Sequence, residues 1–310
     1  MLWFILFGVL AILLVSGSYL FVLACVRRKD MPWLVEKELN KTPLGRYYSY
    51  IAESDHWLTE HSAKDVYIYS EDHLKLHGLW VPAENPRGTV LFAHGYRSTI
   101  LLDFGAAFSL YHQRGLNLLI PDQRAHGKSE GRYITFGVKE SGDMVRWINY
   151  HNQNYGTQPI LLSGISMGAS TMMFLADQDL PENVRCIIAD CGFTSPKEII
   201  SEVFRRVIHL PPAPSVWVGD KLARIFANFS FGEKDARRSL ARSRLPILMI
   251  HGKEDGFVPC EMSENSYSLC AEPKELLLVE GADHGLSFIK EPARYVDAVD
   301  RFLEKYLYRR

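Results

Sequence analysis

The chain has little cysteine, and what it has forms no arrangement that points to chemistry. Cys25, Cys186, Cys191, Cys260 and Cys270 are odd in number and form no C-x-x-C pair. A metal site needs Cys or His clustered at ligand spacing, and no such cluster occurs, so no metal is expected; nor does the chemistry read below require an organic cofactor. Cys186 lies in an apolar run and reads as a small core residue. Such usage fits a reducing compartment. An excess of either charge is also missing: Lys and Arg number 35 against 36 Asp and Glu, a formal net charge of −1. No polyanion, and so no nucleic acid, is expected as a partner. Internal repeats and low-complexity tracts are absent. What is present is an ordinary globular balance, 47% hydrophobic and 23% charged over 310 residues. That is ample core for one large α/β domain or two small ones.

Charge disappears entirely from one segment. Residues 2–26, LWFILFGVLAILLVSGSYLFVLACV, contain none. Roughly 20 apolar residues in a helix cross the hydrocarbon core of a bilayer. A cleaved signal peptide would want a basic start and a shorter apolar run, and a lipobox reading of Val22-Leu23-Ala24-Cys25 fails on the same missing basic start. The expectation is an uncleaved transmembrane helix within an anchor and basic flank, residues 1–29, with a membrane as partner through residues 2–26. Arg27, Arg28 and Lys29 follow directly, and the positive-inside tendency then places the rest of the chain on the cytoplasmic side.

Residues 30–63 read as a juxtamembrane connector, partly helical. From residue 64 to 310 the pattern becomes regular. Residues 66–69 and 74–81 look like a strand hairpin. Short apolar runs follow at 88–93, 116–120, 160–163, 184–189, 247–250 and 275–279. Helix-like segments lie at about 103–114, 138–154, 167–178, 260–271 and 291–307. Short continuous apolar strands alternating with helices indicate a parallel sheet covered on both faces, and chemistry in such sheets lies past the carboxyl ends of the strands. One interval, 193–243, is far longer than a crossover needs. An interval of that length is usually a lid or an extra subdomain.

The third apolar run leads into Gly164-Ile165-Ser166-Met167-Gly168. Strand, sharp turn and helix is the context of a nucleophile elbow, in which small neighbours permit a strained turn that lifts a serine hydroxyl off the sheet. The helix start places the Met167 backbone N–H beside the serine, half of an oxyanion hole. The second N–H belongs on the loop after 88–93, where His94-Gly95-Tyr96-Arg97 stands; Tyr96, after the turning glycine, is the candidate. His94 reads as a brace for that loop. A serine hydroxyl needs a base, and His284, after the last strand, is the best placed of eleven histidines. The base needs an orienting acid. Asp255, in the loop after 247–250, is the candidate, with Glu254 its neighbour as competitor. The order Ser166, Asp255, His284 is the one expected of this sheet architecture.

On these residues the sequence resembles the α/β-hydrolase superfamily over about residues 64–308, most closely the bacterial serine aminopeptidase-like and acyl-esterase-like members. The matching motifs are HGYR from 94, DQRAHGKSEG at 122–131, GISMG from 164, HGKEDGFVP from 251 and GADHG from 281. The resemblance implies an eight-stranded, mostly parallel sheet flanked by helices, with Ser166 as nucleophile, Asp255 as acid and His284 as base. It also implies oxyanion N–H groups from Tyr96 and Met167, and a helical cap inserted at 193–243. His126 falls on a loop by the same resemblance.

The expected substrate is a small molecule bearing an acyl group, and the expected reaction is hydrolysis of a carboxylic ester through an acyl-enzyme. Apolar and aromatic residues in 193–243 favour a medium acyl or aryl group, with Phe204, Ile208, Trp217 and Phe226 as candidate pocket walls. The rival within enzymes is an amidase or aminopeptidase, for which Glu198 or Glu202 would hold the substrate amine. The rival outside enzymes is a membrane-tethered binding protein on an inactive hydrolase fold. That protein would be expected to have lost Ser, His or Asp, and here all three are present.

Overall fold

The computed structural model describes residues 2–28, 48–209, 211–271 and 273–308; side chains at 2, 5, 6, 9, 10, 48–52, 207 and 208 fall outside the description. The strands are β1 (Lys64–Tyr69), β2 (Lys75–Val81), β3 (Gly88–Ala93), β4 (Leu116–Pro121), β5 (Ile160–Ile165), β6 (Val184–Asp190), β7 (Ile247–Gly252) and β8 (Lys274–Val279). They form one sheet in the order β1-β2-β4-β3-β5-β6-β7-β8. β2 pairs antiparallel with β1 and β4, and the remaining pairings are parallel. The mostly parallel eight-stranded sheet is therefore present, with the expected hairpin at its edge.

Helices cover both faces: α1 (Leu2–Cys25), α2 (Tyr48–Glu60), α3 (Ile100–Phe104), α4 (Phe108–His112), α5 (Val138–Tyr155), α6 (Met167–Met173), α7 (Pro196–Ile208), α8 (Ala213–Leu222), α9 (Ala236–Leu240), α10 (Cys260–Leu269), α11 (Ser287–Lys290) and α12 (Pro292–Phe302). Because both faces are covered, β3, β4, β5 and β7 are buried along their whole length. This is why they read as unbroken apolar runs. The period of two still sorts their side chains. Leu91, Leu119, Leu162 and Met249 join Met144 and Trp147 of α5 in one core. Val90, Leu118, Leu161 and Leu248 join Phe104, Tyr111, Val299 and Phe302 in the other. Trp147 is fully buried, and truncating such a side chain to Ala costs about 3–5 kcal/mol.

Two glycines bring the elbow helix onto the sheet. A Cβ at Gly168 would lie 1.9 Å from the Ala93 carbonyl oxygen, and one at Gly164 would lie 2.3 Å from the Gly168 carbonyl oxygen. No side chain fits either place, so the two glycines around Ser166 are a packing requirement of α6 against β3 and β5.

The amino-terminal expectation is corrected. Among the described residues, no helix is long and apolar enough to cross a membrane. The orientation drawn from Arg27, Arg28 and Lys29 goes with the span, and Lys29 lies outside the described residues. The side chains of α1 are described continuously from Ala11, and from Ser16 onward the helix is packed on protein. Ser16 Oγ meets Ser215 Oγ at 2.9 Å. Gly17 and Gly219 let α1 and α8 approach closely: a Cβ on Gly17 would lie 2.3 Å from Val218 Cβ, and one on Gly219 would lie 2.6 Å from Leu20 Cδ2. Leu20, Phe21 and Cys25 are buried. Beyond the helix, Val26 bridges Tyr133, and the Arg27 guanidinium donates to the carbonyls of Ser129 (2.6 Å) and Gly127 (2.7 Å). The buried face of this half of α1 is thus satisfied by the chain's own surface, while Trp3, Phe4, Phe7, Ile12, Leu14 and Val15 are exposed.

Of the connector read at 30–63, residues 29–47 lie outside the described residues, and α2 follows them. The interval 193–243 contains α7, α8 and α9.

Candidate active site

β5 ends at Ile165 and the chain turns at Ser166 with φ 56° and ψ −118°. For a residue with a Cβ this conformation costs on the order of 1–3 kcal/mol. It is held by the Ser166 N–H, which donates to the Asp190 carbonyl at the end of β6 (2.8 Å), and by α6, whose Ser170 N–H returns to the Ser166 carbonyl (3.0 Å). The hydroxyl donates to His284 Nε2 at 2.9 Å. His284 Nδ1–H donates to Asp255 Oδ2 at 2.7 Å. Asp255 stands past β7 and His284 past β8. Glu254 is exposed, whereas Asp255 is buried, and it is Asp255 that reaches the imidazole.

Burial alone would raise the Asp255 carboxyl. The hydrogen bonds from His251 and His284 outweigh it and hold the group well below the usual carboxylate range. The other oxygen, Oδ1, accepts the N–H groups of Phe257 and Val258, both at 2.8 Å. His251, fully buried at the end of β7, brings Nε2 to 3.1 Å from Asp255 Oδ2 and 3.0 Å from the Val258 carbonyl, while Nδ1 meets Ser263 Oγ at 2.6 Å. Two acceptors facing Nε2 assign the proton to that nitrogen. His251 thus fixes the acid, and sequence reasoning missed it; the signal was its position four residues before Asp255 on a buried strand end.

Met167 follows the serine directly, and Tyr96 lines the same cavity as Ser166. The Met167 N–H opens α6 and is one of the donors a helix leaves without an intrahelical acceptor. Among the described residues the Tyr96 N–H meets no protein acceptor. The loop carrying it is braced from below. The Gly95 N–H donates to Asp103 Oδ2 (2.5 Å), and the Gln123 N–H donates to His94 Nε2 (3.0 Å), whose Nδ1–H turns to the Gly95 carbonyl (2.9 Å). The Arg97 N–H donates to His126 Nε2 (3.0 Å). Burial pushes His126 down to about 3, so its ring is neutral and free to accept. His94 and His126 are therefore two bolts between the β3 loop and the β4 loop, which explains why the motif at 122–131 accompanies the motif at 94.

Over Ser166 lies an apolar cavity of about 240 Å³. One wall is Phe193 with Ile199, Ile200, Val203 and Phe204 of α7; another is Tyr19, Leu20, Leu23 and Ala24 of α1; Tyr96, Arg97, Phe136 and Phe257 complete it. Of the four pocket residues read from sequence, Phe204 lines this cavity. Trp217 and Phe226 do not; both are largely exposed, and Phe226 packs its ring on Phe21 at 6.0 Å. The side chain of Ile208 lies outside the described residues. Glu198 and Glu202 do not line the cavity either. Glu198 is paired with Arg237 (2.6 Å), and Glu202 with Arg205 and Arg206.

A family model described as alpha/beta hydrolase fold matches residues 88–213. The esterase Pf2001 of Pyrococcus furiosus superposes with a TM-score of 0.66 at 25% identity, covering 81% of this chain and 95% of that one. The chain has the α/β-hydrolase fold. Among curated sequences, the uncharacterized YqkD of Bacillus subtilis is 26% identical over 228 residues, 73% of this chain and 74% of its own length. YfhR of Escherichia coli K12 is 26% identical over 228 residues, 72% and 74% of the two chains.

Two further buried groups lie beside the row of hydrogen bonds in this α/β-hydrolase fold. Asp190, at the end of β6, is pushed up to about 7 by burial, with Ser287 Oγ at 3.4 Å. Cys191 is pushed up strongly by burial and by the carboxyls of Asp190 and Asp255. Ligand atoms of Cys191, Asp255 and His284 lie within 4.8 Å of one another. Within the row, His284 Nδ1 is joined to Asp255 Oδ2 at 2.7 Å and His284 Nε2 accepts from Ser166 at 2.9 Å, so both ring nitrogens already have partners.

Proposed function

We propose that the chain is a serine hydrolase of carboxylic esters with an apolar acyl part. The reading rests on one observation: the row Asp255–His284–Ser166, with bonds of 2.7 and 2.9 Å, ends at the floor of an apolar cavity. In this reading Ser166 Oγ bonds to the ester carbonyl carbon while its proton passes to His284 Nε2. The carbonyl electron pair moves onto oxygen, where the Tyr96 and Met167 N–H groups hold the oxyanion; one such donor is typically worth about 3–4 kcal/mol of barrier. His284 then gives its proton to the leaving alkoxide as the C–O bond breaks. Water adds to the acyl-enzyme, its proton going to His284 and then to Ser166 Oγ, and the carboxylic acid departs. Throughout, Asp255 holds the ring by Nδ1–H and stabilises the imidazolium. Residues 193–243 serve as the cap. An aminopeptidase would need a carboxylate in the cavity for the substrate amine, and the two cap glutamates considered for it are paired with arginines.

Turnover of p-nitrophenyl esters of rising acyl length, set against aminoacyl anilides, tests the reaction class, with esters expected to be the better substrates. A fluorophosphonate should label the protein, and Ser166→Ala should abolish labelling. Labelling that survives the substitution would move the nucleophile elsewhere.

A further inference from the structure

We propose that the carboxyl-terminal half of α1 is a fixed wall of the substrate site, with Leu23 setting the acyl size and the last carbonyls of the helix holding the oxyanion loop. The ester-hydrolase reading supplies the ligand class; the wall itself rests on the following contacts. Tyr19, Leu20, Leu23 and Ala24 line the cavity that contains Ser166. Their spacing puts them on one side of a helix, so a face of α1 looks directly at a residue more than 140 positions away.

The wall is clamped at three places. On one flank Gly17 and Gly219 bring α1 against α8. At its end the chain joins the domain through a single antiparallel bridge at Val26: the Ile134 N–H donates to the Cys25 carbonyl (2.7 Å), and the Arg27 N–H to the Arg132 carbonyl (2.8 Å). The third clamp is functional. Carbonyls in the last turn of a helix lack intrahelical donors. Here the Tyr96 hydroxyl donates to the Ala24 carbonyl (2.8 Å), and Arg97 Nη2 donates to the carbonyls of Leu23 (2.6 Å) and Val26 (3.0 Å). Tyr96 also carries a proposed oxyanion N–H. One loop therefore reads the position of α1 with its side chains and presents a backbone donor to the reaction. A straight apolar acyl chain bound between α1 and α7 would press on Leu23, which is 36% exposed and so open to enlargement without rebuilding the core.

The test uses the full chain with Leu23→Trp, Leu23→Ala and, as control, Val22→Trp. Val22 is exposed and does not line the cavity. Two readouts are taken: labelling rates with ethyl and decyl fluorophosphonates, and binding of a dansyl-labelled undecanoic acid to the same variants in a Ser166→Ala background, which needs no nucleophile. Leu23→Trp should lower the decyl-to-ethyl rate ratio and weaken fatty-acid binding by at least tenfold. Leu23→Ala should raise the ratio, and Val22→Trp should leave both within twofold. Labelling with neither quantity changed by Leu23→Trp would overturn the wall and leave the esterase reading standing. Absent labelling with a tenfold loss of fatty-acid binding would uphold the wall and overturn the esterase reading.

Discussion

Ser166, Asp255 and His284 each stand just past the end of a parallel strand and are joined by hydrogen bonds of 2.7 and 2.9 Å. The cavity above them is assembled from segments as distant as Leu20 and Phe257, and most of its lining is apolar. The proposed reaction centre is held by directional bonds at the ends of strands of one sheet. The cavity is fixed by shape, from α1 and α7 together with loops past several strands. Substitutions in the two regions should therefore differ in kind. A change in the centre should slow all esters alike, whereas a change in the cavity should alter the preference among acyl lengths.

The largest effect is expected from Asp255→Asn. The amide cannot hold His284 as the carboxylate does, and turnover should fall roughly ten-thousandfold. The fall should be equal for short and long esters in a chain-length series. A fall confined to long esters would mean that Asp255 acts through cavity shape, and the contrast between the two regions would collapse. A near-normal rate would return Glu254 to consideration.

His251→Ala should come next. Removing a hydrogen bond to a buried charged group costs about 1.5–3 kcal/mol, roughly ten- to a hundredfold. The loss should appear in kcat and be uniform across chain lengths. His251→Gln can keep a donor toward Asp255 and should recover part of the rate. Equal losses in both variants would reduce His251 to a packing role.

How much of this was legible in the sequence follows the same division. Strand-end motifs can be read because a buried strand, a turn and one reactive side chain are all local. The alternation of the sheet came through that way, as did the strand-end positions of Ser166, Asp255 and His284, the residues of the proposed reacting row. The cavity could not be read so, because contact across it depends on helix placement. Phe204 was found, but Trp217 and Phe226 are equally aromatic and largely exposed. The uncharged run at residues 2–26 misled for a physical reason. Hydropathy records that a segment leaves water and says nothing of what receives it; here Gly17, Leu20 and Phe21 are received by α8 and its neighbours. The role of α1 carbonyls in holding Tyr96 had no local signal at all, since backbone acceptors leave no mark in composition.

The smallest effect on rate, and the sharpest test of the floor of the centre, belongs to Asp190. Burial raises its carboxyl to about 7 in the folded chain, while an unfolded Asp ionises near about 3.9. Between these values folding takes up a proton, so the stability contributed by neutral Asp190 is complete below about 3.9 and is lost as pH rises toward 7. The slope of that contribution is at most about 1.4 kcal/mol per pH unit. Asp190→Asn mimics the neutral acid in shape and cannot ionise. Denaturant unfolding at pH 5, 6, 7 and 8 should show the Asn protein gaining on the wild type up to pH 7 and holding a constant lead above it. Acyl-length preference should stay the same, because Asp190 does not line the cavity. Parallel stability profiles for the two proteins would mean that Asp190 is ionised beneath Ser166. Its charge, facing His251, His284 and Asp255, would then have to be counted in the electrostatics of the reaction centre.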